Sequence, residues 1–229
     1  MFSSVRKIGV GQSSIMQRRT LMSSDQEREK SMKMRYLALL PLLAASALLS
    51  PLAQAQAPVF VLSPPPQSTI KFNVKASVAI AGTFDKWDAT LTFASPDVTT
   101  GVLDIKIQAA SVNTGSGMKD GKLKGKDFFN AEHDPLITYK STKIVQTGPN
   151  TFDVPGTFTI RGVSKPETLT LTVSGVGTGS GTIKGTMAFD RKDYGMNSGI
   201  PFIRIADRVE VDIDLAGKRI SGPPLTLKK

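Results

Sequence analysis

A two-residue alternation of apolar and polar side chains recurs along most of the chain and constrains its fold more than any other feature. Ile70, Phe72, Val74, Ala76, Val78 and Ile80 alternate with Lys71, Asn73, Lys75 and Ser77. Successive side chains of a strand point to opposite faces, so this is a strand with one wet face. The period returns in Trp87, Ala89, Leu91 and Phe93, in Leu103, Ile105 and Ile107, and in Phe152, Val154, Phe158 and Ile160. It returns again in Leu169, Leu171 and Val173, in Ile183, Met187 and Phe189, and in Val209, Val211, Ile213 and Leu215. Leu136 to Val145 is a less regular candidate. Gly148-Pro149-Asn150 and the glycine-rich stretch from Gly175 to Gly181 separate neighbours as in an antiparallel meander. Only Met118 to Phe129 has a helical character, which Gly121 and Gly125 weaken.

An all-β chain of about eight one-faced strands either stacks two sheets or closes one sheet into a barrel. Connection of each strand to its sequence neighbour favours a closed antiparallel barrel with one short helical segment. A barrel of that size is filled by side chains or holds one small ligand. Phe72, Phe84, Trp87, Phe93, Phe158 and Phe189 then face inward, either as packed core or as the lining of a cavity.

Outside the barrel, residues 32–55 read as a signal peptide. Lys33 and Arg35 precede an apolar run from Tyr36 to Leu52, and Ala53-Gln54-Ala55 supplies small residues for cleavage. The run is short for a membrane span and contains Pro41, Ser46 and Ser50. Residues 1–31 form an N-terminal extension, with Met32 or Met34 the better start. Its Arg18-Arg19 pair resembles a twin-arginine signal, but Asp25 to Lys30 separates the pair from the apolar run. Residues 56–67 then form an extended leader ending in Pro64-Pro65-Pro66, residues 68–219 the barrel, and residues 220–229 a tail.

The net charge of +10 is divided between the parts: residues 1–55 hold 8 basic and 3 acidic side chains, residues 56–229 hold 21 and 16. The mature excess is modest and dispersed, which argues against a nucleic-acid surface. The absence of cysteine excludes disulfides, thiolate metal sites and a Cys nucleophile. His133, the only histidine, sits in the polar turn Glu132-His133-Asp134. No spacing adds further metal ligands, and no Gly-x-Ser-x-Gly elbow or phosphate loop occurs. No catalytic residue, metal or catalytic cofactor is expected. Lys119, Lys122, Lys124 and Lys126 make a basic cluster, either a solvated face or a point of transient contact with an anionic membrane surface.

Several segments together resemble the YceI-like family. They are Ser111-Val112-Asn113-Thr114-Gly115, Asp120, Leu123, Asp127-Phe128-Phe129, Pro135, Ile137, Tyr139 and Ser141, then Gly156 to Pro166, Asp190 to Asn197, and Asp207-Arg208-Val209. The resemblance implies periplasmic proteins with a lipocalin-like barrel that bind polyisoprenoid-type lipids. It implies a bound lipid lined by Phe72, Val74, Phe84, Trp87, Leu91, Ile105, Phe128, Ile137, Tyr139, Phe158, Ile160, Leu169, Leu171, Met187 and Phe189. Arg161 and Arg191, near strand ends, are candidates for head-group contact, or else solvated surface arginines. Ala76 departs from the family, which commonly has a His there. The implied function is carriage or storage of a polyprenyl derivative or quinone. The alternative is a stress-response or interaction module with a filled barrel.

Cleavage after Ala55 makes a testable statement. N-terminal sequencing of exported protein should begin at Gln56, and retention of Tyr36 to Leu52 contradicts it.

Overall fold

The computed structural model describes residues 56–77, 80–175, 177–199 and 202–227. The extension, the signal peptide and Val78 lie outside the described residues. The alternating segments form β2 (Thr69–Ala76), β3 (Ile80–Phe84), β4 (Trp87–Thr92), β5 (Val102–Gln108) and β7 (Leu136–Ser141). They continue in β9 (Thr151–Ile160), β10 (Val163–Val173), β11 (Ser180–Asp190) and β12 (Ile205–Ser221). Short pieces complete the sheet: β1 (Val59–Leu62), β6 (Val112–Asn113) and β8 (Val145–Gln146). Helix α1 spans Gly117–Lys124, shorter than the periodicity suggests, and its last turn ends at Gly125.

All pairings among these strands are antiparallel. β12 pairs β11 along one edge, and β2 and then β1 along the other. β1 in turn pairs β4 at Val59 and Thr92, and the path β4, β5, β7, β9, β10, β11 returns to β12. The sheet is therefore a closed barrel of eight staves, four of which are broken into two strands each: β1 with β2, β3 with β4, β5 with β6, and β7 with β8, both of which pair β9.

The first break has a chemical cause. Pro64-Pro65-Pro66 lacks N–H donors and cannot continue a ladder. Ser63 N–H donates to Ala216 O at 2.8 Å, and across the gap the buried Ser68 hydroxyl accepts from Ala216 N–H at 2.9 Å. The segment read as a leader thus contains β1, a stave of the barrel. The segment read as a tail also belongs to the fold. Thr226 N–H donates to Pro96 O at 2.7 Å, while Leu225 and Leu227 pack on the core.

Inward positions follow the alternation: Phe152, Val154, Gly156, Phe158 and Ile160 of β9 are buried. Gly156 is required by its neighbour, because a Cβ there would lie 2.6 Å from Lys140 O and 2.8 Å from the Tyr139 ring. Tyr139 lies over this glycine and donates its hydroxyl to Val154 O. Gly82 accommodates the Phe72 ring in the same way. Gly156→Ala should therefore lower stability by about 1–3 kcal/mol, the usual cost of overpacking. Urea unfolding checks this, and an unchanged midpoint contradicts it.

Candidate ligand site in the barrel interior

The interior holds two apolar cavities, one toward each end. The first, about 120 Å³, lies under the glycine-rich Ser174 to Gly181 turn and the C-terminal residues Pro224, Leu225 and Leu227. Of the residues expected to line a ligand, Leu91 and Leu171 reach it, together with Phe93. The second, about 70 Å³, lies at the α1 end and gathers Phe72, Val74, Phe84, Phe128, Ile137, Phe158, Ile160 and Phe189. Phe72 and Phe84 pack with tilted rings at 5.6 Å between centroids, and Phe158 and Phe189 likewise at 5.0 Å.

Ile105, Tyr139, Leu169 and Met187 are buried but line neither cavity. They belong to the packed middle of the barrel. The expectation of one cavity shared by Phe72, Trp87, Phe158, Leu171 and Phe189 is therefore corrected. Alternation sets the face of a residue, whereas its height along the axis decides which cavity it meets. Trp87 packs half-buried on the core, and its indole N–H has no acceptor among the described residues.

The two arginines occupy unequal environments. Arg161 sits at φ 56° in the β9–β10 turn and donates to Gly195 O. Arg191 is 6% exposed and lies at the second cavity. It donates to Ala206 O at 3.1 Å, to Ser198 O at 3.0 Å and to Met196 O, and pairs with Asp207 at 3.1 Å. Arg191 is thus neither a solvated arginine nor an open fork for a head group, because its donors are spent on the 196–207 loop. Lys192 holds the other Asp207 oxygen at 2.8 Å. That hydrogen bond first, and the nearby cationic charges, keep the Asp207 carboxyl below the ordinary range.

Tyr194 is the main feature that the alternation does not reveal. β10 pairs β11 only through Thr170–Val173, so its first half splays away. The Arg191–Tyr194 turn enters this seam and ends at Gly195 with φ 75°. Tyr194 is fully buried, packs edge-on to Phe158 and Phe189 at 5.4 and 5.2 Å, and donates to the Glu167 carboxylate at 3.0 Å. Burial, then the Glu167 hydrogen bond and charge, push its phenol upward. The only sequence signal for it was the Asp190 to Asn197 motif. His133 is exposed in its turn, and no cluster of metal-ligating side chains occurs among the described residues.

A closed antiparallel barrel with a packed middle and apolar cavities toward both ends is a ligand-holding type of barrel. Residues 62–216 match the YceI-like domain, and the chain belongs to that family. A UPF0312 protein of Pseudomonas syringae pv. syringae is 28% identical over 143 residues, 60% of this chain and 73% of that protein. Protein YceI of Escherichia coli O157:H7 is 33% identical over 96 residues, 42% of this chain and 50% of that one. Among solved structures, Burkholderia cenocepacia BcnA aligns with a TM-score of 0.59 at 27% identity, covering 65% of this chain and 95% of that one. A Saccharophagus degradans domain described as polyisoprenoid-binding shares the fold with a TM-score of 0.56 at 18% identity, covering 71% and 99%.

The buried phenols set a pH dependence. Burial raises Tyr139 from 10.0 to about 12, and Tyr194 is raised as well. A folded pKa above the unfolded one gives stability that is complete below pH 10 and lost as pH climbs toward about 12. Ultraviolet tyrosinate titration of the folded protein should show both phenols ionising late, with stability falling over the same window. Ionisation of both near the free value contradicts the burial.

Proposed function

We propose that this protein is exported to the periplasm and holds a long isoprenoid-type lipid, a polyprenyl derivative or quinone, inside the barrel as a carrier or reservoir. The carrying observation is the pair of apolar cavities on the axis of the closed barrel. Membership of the YceI-like family and the shared fold of the polyisoprenoid-binding domain support the same ligand class.

The energetics suit carriage. Each methylene kept from water is worth about 0.8 kcal/mol, so a chain of several isoprene units does not travel free in an aqueous compartment. The bilayer it leaves is equally apolar, so bilayer and barrel differ little and the lipid exchanges without catalysis. Binding asks only for shape and an apolar lining. No acid, base, metal or catalytic cofactor enters it.

One observation favours the other function, a stress-response or interaction module with a filled barrel. The cavities of about 120 and 70 Å³ are smaller than a benzene-sized cavity of about 150 Å³. A long chain therefore has to turn aside the side chains of the middle layer.

Native mass spectrometry and solvent extraction of the purified protein separate the two. A stoichiometric isoprenoid is expected, and its consistent absence from freshly isolated protein favours the filled barrel. Phe158→Asp or Phe189→Asp should abolish retention, since an unpaired buried charge costs several kcal/mol. His133→Ala should retain the lipid. Loss in the His133 variant alone, with folding intact, overturns carriage by shape.

A further inference from the structure

We infer that the α1 end of the barrel is a docking face for an anionic phospholipid bilayer, with Phe202 and Met118 entering the lipid and the lysines of α1 and its C-terminal extension facing the head groups. This rests on the carrier function proposed above and fixes which end of the barrel meets the membrane.

The two ends differ in chemistry. The segments that close the first cavity, residues 174–181 and 222–227, contain no charged side chain, and Arg219, the charged residue among its described lining, is turned back to donate to Gly222 O. The second cavity is walled by Leu123, Phe128 and Phe129 on one side and by Met196 and Ile205 on the other. The same two segments carry the exposed groups. Phe202 lies in the loop between Met196 and Ile205, and Met118 opens α1 a few residues before Leu123. Their relative exposures are 106% and 88%, the highest of the exposed large apolar residues described. The Ser198 side chain lies near enough to the Asp127 carboxyl to help Lys122 keep it below the ordinary range, which sets the two segments beside each other. Phe202 also has φ 64°, a costly backbone for a bulky residue, yet its ring contributes nothing to the core.

The charge around these residues suits an anionic surface. Lys119, Lys122, Lys124 and Lys126 follow Met118 in sequence, and Arg204 follows Phe202. The acids between them are turned to internal use. Asp120 accepts from the Thr114 N–H at 2.8 Å and hydroxyl at 2.7 Å, and Asp127 pairs with Lys122 at 2.6 Å. Asp134 accepts from the Asn130 side chain at 2.9 Å, leaving Glu132 as the exposed acid of the neighbouring turn. Lysines held at an anionic bilayer each strengthen binding by about fivefold. Aromatic and apolar groups on such a rim add the buried area that holds the contact.

Site-specific quenching tests this. In the full chain with Trp87→Phe, a single reporter is placed at Phe202→Trp or, as the opposite-end control, at Ile220→Trp. Each is titrated with phosphatidylcholine vesicles containing phosphatidylglycerol, with brominated acyl chains as quencher. Residues 1–55 are common to both proteins, so their own affinity for lipid cancels in the comparison. Quenching is expected at the Phe202→Trp reporter, weakly or not at all at the Ile220→Trp reporter, and less with phosphatidylcholine alone. Lys124→Glu with Lys126→Glu should raise the lipid needed by about tenfold or more, and Lys124→Gln with Lys126→Gln by less. Equal quenching at the two reporters, or a charge-reversed variant that binds unchanged, overturns the docking face. Lipid extraction scores the carrier function separately: extracted isoprenoid with no quenching at the Phe202→Trp reporter removes the docking face alone.

Discussion

The 17 residues of β12 are hydrogen-bonded along both edges, and the rest of the barrel depends on that double pairing. One edge follows β11 from Asp190 to Ser180; the other follows β2 and then β1. Closure removes the two open edges that a curled antiparallel sheet would otherwise present. It also fixes register. A slip by one residue would turn Val209, Ile213 and Leu215 outward and bring Asp212 and Asp214 into the core. The register shift between Ile205 and Val209 sits where β12 leaves the Arg191 loop, so the irregularity is confined to the end of the stave.

With the backbone closed, the behaviour of the interior is decided by side chains. The middle layer of Ile105, Leu169 and Met187 divides the two cavities through contacts that are individually weak, about 0.1–0.2 kcal/mol per atom pair. Off-rotamer side chains cost about 0.5–1.5 kcal/mol each. Joining the cavities therefore needs a few rotations inside an intact ring, whereas opening the wall would break a ladder. Tyr139 is the exception in that layer. Its hydroxyl is committed to Val154 O and its ring occupies the space left by Gly156, so it stays in place while the aliphatic chains around it turn.

Most of the fold was legible because strand period is a local property. Thr69–Ala76, Val102–Gln108 and Thr151–Ile160 each show inward and outward faces directly in their residues. β1 was not legible, since Val59-Phe60-Val61-Leu62 is an unbroken apolar run beside prolines and shows no alternation. Its two faces separate only once β12 is alongside, with Val59 and Val61 exposed and Phe60 and Leu62 turned to the first cavity. The burial of Arg191 was hidden for a similar reason. Its partners Met196, Ser198 and Ala206 offer backbone carbonyls, which every residue has and no sequence pattern marks. Tyr194 stands outside any strand and fills a seam created by the divergence of β10 from β11, a tertiary fact. The family motif flagged its segment without giving its place.

The walls of the second cavity are held by unequal forces. On one side, Arg191 ties Met196, Ser198 and Ala206 to the end of β11 through charge-assisted hydrogen bonds, which are about twice as strong as neutral ones. On the other, α1 has eight residues and two glycines counting its first, and Ser116 caps its N-terminus without a side-chain hydrogen bond. A helix of that length has little stability of its own and depends on the packing of Leu123 against the core, with Phe128 and Phe129 following it. Widening of this cavity therefore falls on α1, the less firmly held wall. The segment that yields is the one carrying Met118 and the lysines, so a surface that pulls on those side chains acts directly on the weaker wall.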